Sequence, residues 1–166
     1  MFLTACRIGF DPQANPTEAV DASEPDAGDV DALVASCGTS YVPLPNVSGA
    51  YRVISTQARW VDAEAVCEAD NAHLVVVNSS QEDAAVRANV IGNVWIGASD
   101  RITEGTFVVV TGGGTIYSNW QVNIPSNVAE DCVHLRGDGF WEDGDCNVSF
   151  ASICECDGLP AVAGAF

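Results

Sequence analysis

Six of the seven cysteines in this chain fall between positions 37 and 156, and they constrain its fold more than any other feature. An even number of cysteines within one small domain predicts disulfide bonds and an oxidising compartment. Spacing alone does not choose among the fifteen pairings that six cysteines allow. Structural zinc is the alternative, which the absence of any Cys-x-x-Cys pattern disfavours. The six are Cys37, Cys67, Cys132, Cys146, Cys154 and Cys156.

The charge of the chain argues against one class of partner and favours another. The formal net charge is −17, and every basic residue is an arginine. A nucleic-acid partner is not expected, because binding it requires Lys and Arg to neutralise phosphates. A divalent cation such as calcium is favoured, since hard cations bind carboxylate and carbonyl oxygens. No apolar run of about 18 residues occurs, so the sequence predicts no transmembrane helix.

The first six residues resemble a processing signal. Leu3-Thr4-Ala5-Cys6 resembles the bacterial lipobox, in which the signal peptide is cut before a cysteine that then receives lipid. The charged start and long apolar stretch of a signal peptide are missing, so this hypothesis places the true start upstream. We expect residues 1–6 to be the remnant of such a signal and Cys6 to be lipidated. The protein would then be exported to the cell surface or outer membrane and would touch a membrane only through this anchor. A chance match or a free thiol is the alternative.

The residues before the cysteine-rich region differ from it in composition. Residues 11–36 are rich in Asp, Glu, Ala and Pro and contain no aromatic residue. Such a segment buries too little apolar surface to fold, and its like charges keep it extended. We predict an acidic disordered linker over 7–36, a folded domain over 37–157 and a short tail over 158–166. No heptad pattern precedes the domain, which favours a monomer.

The hydrophobic periodicity of the domain predicts two helices and then short strands and loops. Residues 59–69 show helical spacing of their apolar side chains. A buried strand is predicted over 73–77. A second helix follows, which Ser79 or Ser80 can cap and which continues to about Ile91. The fold class is therefore α+β.

A series of short motifs runs through the domain from about residue 51 to residue 155. In this order and spacing they resemble the C-type lectin-like domain family. The resemblance implies a C-type lectin-like fold with two helices, small antiparallel sheets and a long irregular loop region. The motifs are Trp60-Val61-Asp62-Ala63-Glu64 with Cys67, His73-Leu74-Val75 with Glu82, Trp95-Ile96-Gly97-Ala98, Glu104-Gly105-Thr106-Phe107, Tyr117-Ser118-Asn119-Trp120, Glu130-Asp131-Cys132-Val133, Trp141-Glu142-Asp143 and Ile153-Cys154-Glu155.

The resemblance also implies a disulfide pairing. One bond joins the first helix to the last strand, and a second crosses the binding loops. The two remaining cysteines form the third pair, because the termini of family members lie side by side. The implied pairs are Cys67–Cys154, Cys132–Cys146 and Cys37–Cys156.

Two calcium sites follow from the resemblance, of which the auxiliary site is the better preserved. In the family it would use Asp100, Glu104, Asn127 and Asp131, with a backbone carbonyl near Glu130. Asn127 stands where the best-known calcium binders carry Asp. Three carboxylates and an amide are hard oxygen donors of the kind calcium requires. The alternative is a set of solvated loop acids.

The sugar-binding site departs further from the family pattern. There, a Glu-Pro-Asn or Gln-Pro-Asp triplet holds calcium and hydrogen-bonds sugar hydroxyls. The triplet here is Ile124-Pro125-Ser126, in which Ile124 offers no oxygen, and Glu142 replaces the Asn of the Trp-Asn-Asp motif. Mannose- or galactose-type specificity is therefore not carried over. The remaining metal and ligand-binding set is Ser126, Glu130, Glu142 and Asp143.

Two functions from different classes remain open. The first is an extracellular module that binds carbohydrate with calcium at the cell surface, and its partner is a glycan. The second is a protein-binding or adhesion module of the same fold, whose partner is a surface protein. An apolar Ile124 on an exposed loop near Val122 and Val128 would favour the second, so the direction in which Ile124 points discriminates between them. No Ser or Cys nucleophile motif occurs, so we do not expect an enzyme.

Overall fold

The computed structural model describes residues 37–38, 40–126, 129–164 and 166. The lipobox with Cys6, the linker, Asn127 and Val128 lie outside these residues, so the predictions made for them stay predictions. Within the described ranges, no helix is long and apolar enough to cross a membrane.

In the described part of the chain, the two helices that the periodicity predicts come before most of the strands. Helix α1 spans Trp60–Glu68 and buries Cys67 together with its other inward-facing side chains. Helix α2 spans Ser80–Asn89. Ser79 is its N-cap, since the Ser79 hydroxyl oxygen accepts a hydrogen bond from the Glu82 backbone N–H at 3.2 Å. This choice between the two candidate serines was open in the sequence.

Removing the cap should weaken the fold by a small, measurable amount. We expect Ser79→Ala to lower the free energy of unfolding by about 1 kcal/mol, because the Glu82 N–H loses its acceptor. Urea denaturation measures the change. Ser80→Ala is the matched control, and an equal loss in both variants would contradict the assignment of the cap to Ser79.

Eight strands form one sheet in the described part of the chain. They are β1 Val42–Pro43, β2 Ala50–Ala58, β3 His73–Leu74, β4 Val94–Ser99, β5 Val108–Val109, β6 Cys132–Leu135, β7 Trp141–Gly144 and β8 Phe150–Cys156. The order is β1-β2-β8-β4-β6-β7, with β3 paired to β8 and β5 paired to β4. The β4–β8 pair is parallel, and the other pairs are antiparallel.

Glycine at position 97 allows two backbones to approach closely in the core. The Gly97 N–H donates to the Val75 carbonyl oxygen at 2.8 Å. A Cβ at position 97 would overlap the Leu74 carbonyl oxygen and press on the Val110 side chain. The Trp-Ile-Gly motif therefore combines a buried aromatic residue, Trp95, with a position two residues later where a Cβ does not fit.

Three disulfide bonds cross-link the domain, and they are the pairs that the resemblance implies. Their Cα–Cα distances lie between 5.1 and 6.1 Å. Five of the six cysteines are buried, and Cys146, beside the loops, is partly buried. The pairs are Cys37–Cys156, Cys67–Cys154 and Cys132–Cys146.

The described residues after β8 pack back onto the domain. The Val162 N–H donates to the Val110 carbonyl oxygen at 2.8 Å. The ring of Phe166 lies 5.4 Å from the ring of the fully buried Trp60 in an edge-to-face arrangement. The predicted tail thus contributes contacts to the core beside α1.

Candidate functional site

A buried carboxylate on α2 anchors the strand that carries candidate site residues. Asp83 is 1% exposed, and its oxygens accept hydrogen bonds from Trp141 Nε1 at 3.0 Å and Asn119 Nδ2 at 3.3 Å. Arg87, one turn later, lies 3.0 Å from the same carboxylate and offsets its charge. Because Trp141 begins β7, this contact fixes the start of that strand against α2. Sequence reasoning missed this role, since an acid in the first turn of a helix is common.

Ser126, Glu130 and Asp143 come together where the long loop meets β7. The Ser126 hydroxyl donates to Glu130 Oε2 at 2.7 Å. The Ser126 backbone N–H donates to Asp143 Oδ2 at 2.6 Å. The peptide bond between Ile124 and Pro125, just before Ser126, is cis. Three of the four predicted sugar-site residues therefore form one hydrogen-bonded group.

Asp143 carries an oxygen whose hydrogen-bonding capacity is unused. Its side chain is buried, and Oδ1 has no hydrogen-bond partner among the described residues. Burial raises the pKa of the Asp143 carboxyl above its ordinary value, and the charge of Glu130 adds to this, although the Ser126 N–H opposes it. Leaving a buried polar atom unpaired costs about 1–3 kcal/mol. A cation at Oδ1 would remove that cost.

A second group of acids contains Asp100, Glu104 and Asp131. The Asp100 N–H donates to the Asp131 carbonyl oxygen at 3.0 Å, and the Gly105 N–H donates to Asp100 Oδ2 at 2.7 Å. Asp100 Oδ1 is buried and has no partner in the described ranges. Burial raises the pKa of Asp100, and the charge of Asp131 raises it further. Asn127, the fourth predicted ligand, lies outside the described residues.

Like-charge repulsion also affects Glu104, the exposed member of this group. The pKa of Glu104 is raised by partial desolvation and by the charges of Asp100 and Asp131. The structure thus brings three of the four predicted auxiliary ligands within electrostatic range of one another.

Glu142 is separated from Asp143, although the two are adjacent in sequence. Neighbouring residues on a strand face opposite sides, and here Asp143 faces inward. Glu142 Oε2 lies 3.3 Å from His134 Nε2, without hydrogen-bond geometry, and Glu142 Oε1 lies 3.3 Å from Arg136 Nη1. Arg136 also contacts Gln121 on the long loop. The structure therefore pairs Glu142 with Arg136 and His134 rather than with Ser126.

Sequence reasoning missed the role of Arg136. The register of β6 and β7 places His134 opposite Glu142. Once these strands are aligned, the contact between Glu142 and Arg136, which lies two residues after His134, becomes predictable. Burial lowers the pKa of His134, while Glu142 opposes that shift.

The direction of the Ile124 side chain does not decide between carbohydrate binding and protein binding. Its side chain is partly buried, whereas Val122 on the same loop is 82% exposed. Val122 is therefore the more solvent-exposed apolar side chain of the two.

The donor atoms of both groups fit a hard divalent cation. The group at Asp143 offers carboxylates and a hydroxyl, and the group at Asp100 offers carboxylates. In each group, one oxygen of the named aspartate is buried and has no hydrogen-bond partner in the described ranges. Calcium takes six to eight oxygen ligands, so water or a ligand would have to supply the remainder. Glu142 joins neither group.

Comparisons with known proteins match this geometry to one family. The model of the C-type lectin domain matches residues 56–156. An alpha-N-acetylgalactosamine-specific lectin of Patiria pectinifera is 31% identical over 121 residues, which cover 63% of this chain and 72% of that lectin. Human asialoglycoprotein receptor 2 is 36% identical over 104 residues, or 58% of this chain and 33% of the receptor. The chain thus spans about a third of the receptor.

Solved structures show the same fold. The carbohydrate-recognition domain of the mouse scavenger receptor C-type lectin superimposes with a TM-score of 0.68 at 26% identity, covering 73% of this chain and 98% of that chain. A calcium-independent type II antifreeze protein gives the same TM-score and identity, covering 76% of this chain and 95% of that chain. At least one protein of this fold is therefore calcium-independent.

The relatives also bear on the predicted anchor. Relatives from Patiria pectinifera, mouse, rat and human give no support to a bacterial lipoprotein tether. Disulfide-rich domains of this kind are typical of extracellular and cell-surface proteins, and the family consists generally of non-enzymatic binding proteins. On the family match over residues 56–156 and the shared fold, this chain belongs to the C-type lectin family.

Proposed function

We propose that this chain is an extracellular carbohydrate-binding module that recognises its ligand with calcium at the group formed by Ser126, Glu130 and Asp143. The buried Asp143 oxygen that lacks a partner in the described ranges is the observation that carries the proposal. Relatives that are named as a lectin for N-acetylgalactosamine and as asialoglycoprotein receptors support carbohydrate as the ligand class.

Asp143 and Glu130 would hold calcium at this site, and calcium would supply a coordination shell that two sugar hydroxyls can complete. Asp143 contributes its unpaired oxygen, and Glu130 contributes a carboxylate. At present the Ser126 hydroxyl occupies Glu130 Oε2. A sugar hydroxyl that donates to Glu130 would have to compete with Ser126, so Ser126 controls access to that oxygen. Asp100, Glu104 and Asp131, with Asn127, would hold a second calcium that stiffens the loop.

The binding site has fewer oxygens than the family pattern provides, which bears on specificity. Ile124 contributes none, and Glu142 is engaged by Arg136 at 3.3 Å. We therefore propose weak or unusual sugar selectivity rather than mannose- or galactose-type recognition. Attachment of the domain to a cell surface through Cys6 and an acidic linker stays part of this proposal.

Calcium that binds the folded domain should stabilise it by mass action. At the sugar site, calcium binding should require Asp143. We expect Asp143→Asn to weaken calcium binding about tenfold or more, measured by calorimetry and by melting temperature with and without chelator. Asp62→Asn on the surface of α1 is the matched control. No calcium-induced rise in melting temperature in the parent protein would contradict calcium-dependent recognition.

A glycan array, run with calcium and again with chelator, tests the ligand class. Binding that chelator abolishes and that Asp143→Asn loses would support the proposal. The alternative, a protein-binding module, is favoured by the exposure of Val122. If no glycan binds but a cell-surface protein does, and Val122→Ser abolishes that binding, the alternative is correct.

A further inference from the structure

A third cluster of side chains of the metal-ligand type lies near Cys156, the last residue of β8. His73 on β3 is paired in register with Glu155 on β8. Asp157 follows Glu155 by two residues, so it extends toward the same face. One nitrogen and two carboxylate oxygens of these three residues lie within 4.8 Å of one another.

The hydrogen bonds of His73 leave one ring nitrogen facing a carboxylate. Nδ1 lies 2.9 Å from the Leu74 carbonyl oxygen, which can only accept, so Nδ1 carries a proton. Nε2 lies 3.1 Å from Asp157 Oδ1. In the neutral imidazole both of these atoms would be acceptors. A proton, on Nε2 or on the Asp157 carboxyl, or a metal ion must therefore lie between them.

Two buried carboxyl groups lie close to His73. Glu64 on α1 accepts a hydrogen bond from the Leu74 N–H at 2.7 Å, and its other oxygen is buried without a partner in the described ranges. Glu155 is 3% exposed and accepts from the Val76 N–H at 3.0 Å. The carboxyl groups of Glu155 and Asp157 thus lie within ligand distance of the His73 imidazole, and that of Glu64 lies near them.

We propose that His73 Nε2, Glu155 and Asp157 bind a divalent metal ion of the zinc class. An imidazole ligand favours zinc, cobalt or nickel over calcium and magnesium. Ligands about 2.0 Å from a tetrahedral zinc lie about 3.3 Å apart, close to the observed separation of Nε2 and Oδ1. A hydrogen bond from Nδ1–H to a backbone carbonyl is one of the contacts that orient metal-binding histidines.

An ion can reach this cluster from solvent. The Asp157 side chain is 20% exposed, whereas His73 is fully buried. A surface cavity of about 540 Å³ lies beside them, lined by Ala72, which precedes His73, and by Gly158, which follows Asp157.

Cobalt is the probe for the first experiment, because tetrahedral cobalt absorbs visible light. The full chain, stripped of metals and with Cys6 blocked by iodoacetamide, is titrated with Co²⁺ and then with Zn²⁺. We expect one cobalt per chain with tetrahedral absorption, displacement by Zn²⁺, and no displacement by excess calcium. Absence of saturable cobalt binding, or displacement by calcium, would overturn the proposal.

Two variants assign the binding to this cluster. His73→Gln should abolish the cobalt spectrum, and Asp157→Asn should weaken binding at least about tenfold, since loss of an outer partner alone costs about 10–100-fold. Asp157 is partly exposed, so this variant keeps the test decisive if the buried His73 variant fails to fold. Asp145→Asn, an exposed turn residue, is the control and should bind like the parent. Unchanged cobalt affinity in Asp157→Asn would refute the assignment.

Discussion

Replacement of both Cys67 and Cys154 by alanine should lower the free energy of unfolding by about 4 kcal/mol. This bond spans 87 residues of sequence and joins α1 to β8. With Cys37–Cys156 intact, the unfolded chain still connects the two positions through residues 37–67 and 154–156, a path of about 32 residues. The loop that matters is this shorter one, for which the chain-entropy relation gives about 4 kcal/mol. Urea denaturation of the oxidised proteins measures the change.

The short disulfide provides the matched control. Cys132 and Cys146 are 14 residues apart, so their double alanine variant should lose about 3 kcal/mol. It should also disturb the loops more than the core, since Cys146 is only partly buried. A loss below about 1 kcal/mol in the Cys67 and Cys154 variant would show that the cross-link does not constrain the unfolded chain.

The fold was predictable because its signals are local or fixed by motif. The two helices follow from apolar spacing and a serine cap, and the observed helices begin within a residue of the predicted starts. The strand predicted over 73–77 is paired as a ladder only over His73–Leu74. At Val75 the backbone hydrogen bonds go to two different strands. The Val75 N–H donates to the Ile153 carbonyl oxygen, and the Val75 carbonyl oxygen accepts from the Gly97 N–H. These hydrogen bonds depend on tertiary contacts that hydrophobic periodicity does not encode.

The site was only partly predictable, because its geometry depends on residues distant in sequence. The proximity of Ser126 to Asp143 follows from the family pattern. The pairing of Glu142 with Arg136 does not, since Arg136 lies just after the neighbouring strand β6 and outside the motif. The contact of Asp83 with Trp141 joins residues 58 positions apart. In each case a polar partner outside the motif decides where a motif side chain points.

The fold should be more stable at mildly acidic pH than at alkaline pH, with Glu64 a main cause. Burial raises the pKa of Glu64 from its ordinary value of 4.5 to about 7. Between these two values the folded state binds more protons than the unfolded state, so stability falls as pH rises from about 4.5 to about 7 and the loss is complete above that. At about 1.4 kcal/mol per pH unit, the loss due to Glu64 is about 3 kcal/mol.

Glu64→Gln separates this contribution from those of other buried acids. The amide oxygen can still accept the Leu74 N–H, so the variant resembles the protonated acid. Urea unfolding in the presence of chelator should therefore show a difference between about pH 5 and about pH 8 that is smaller by about 3 kcal/mol than in the parent. Glu68→Gln, at an exposed position of the same helix, should behave like the parent. Part of the pH dependence should survive in Glu64→Gln, because burial and Glu82 raise the pKa of Glu155 as well. Equal pH dependence in parent and variant would mean that water reaches Glu64 despite its 1% exposure.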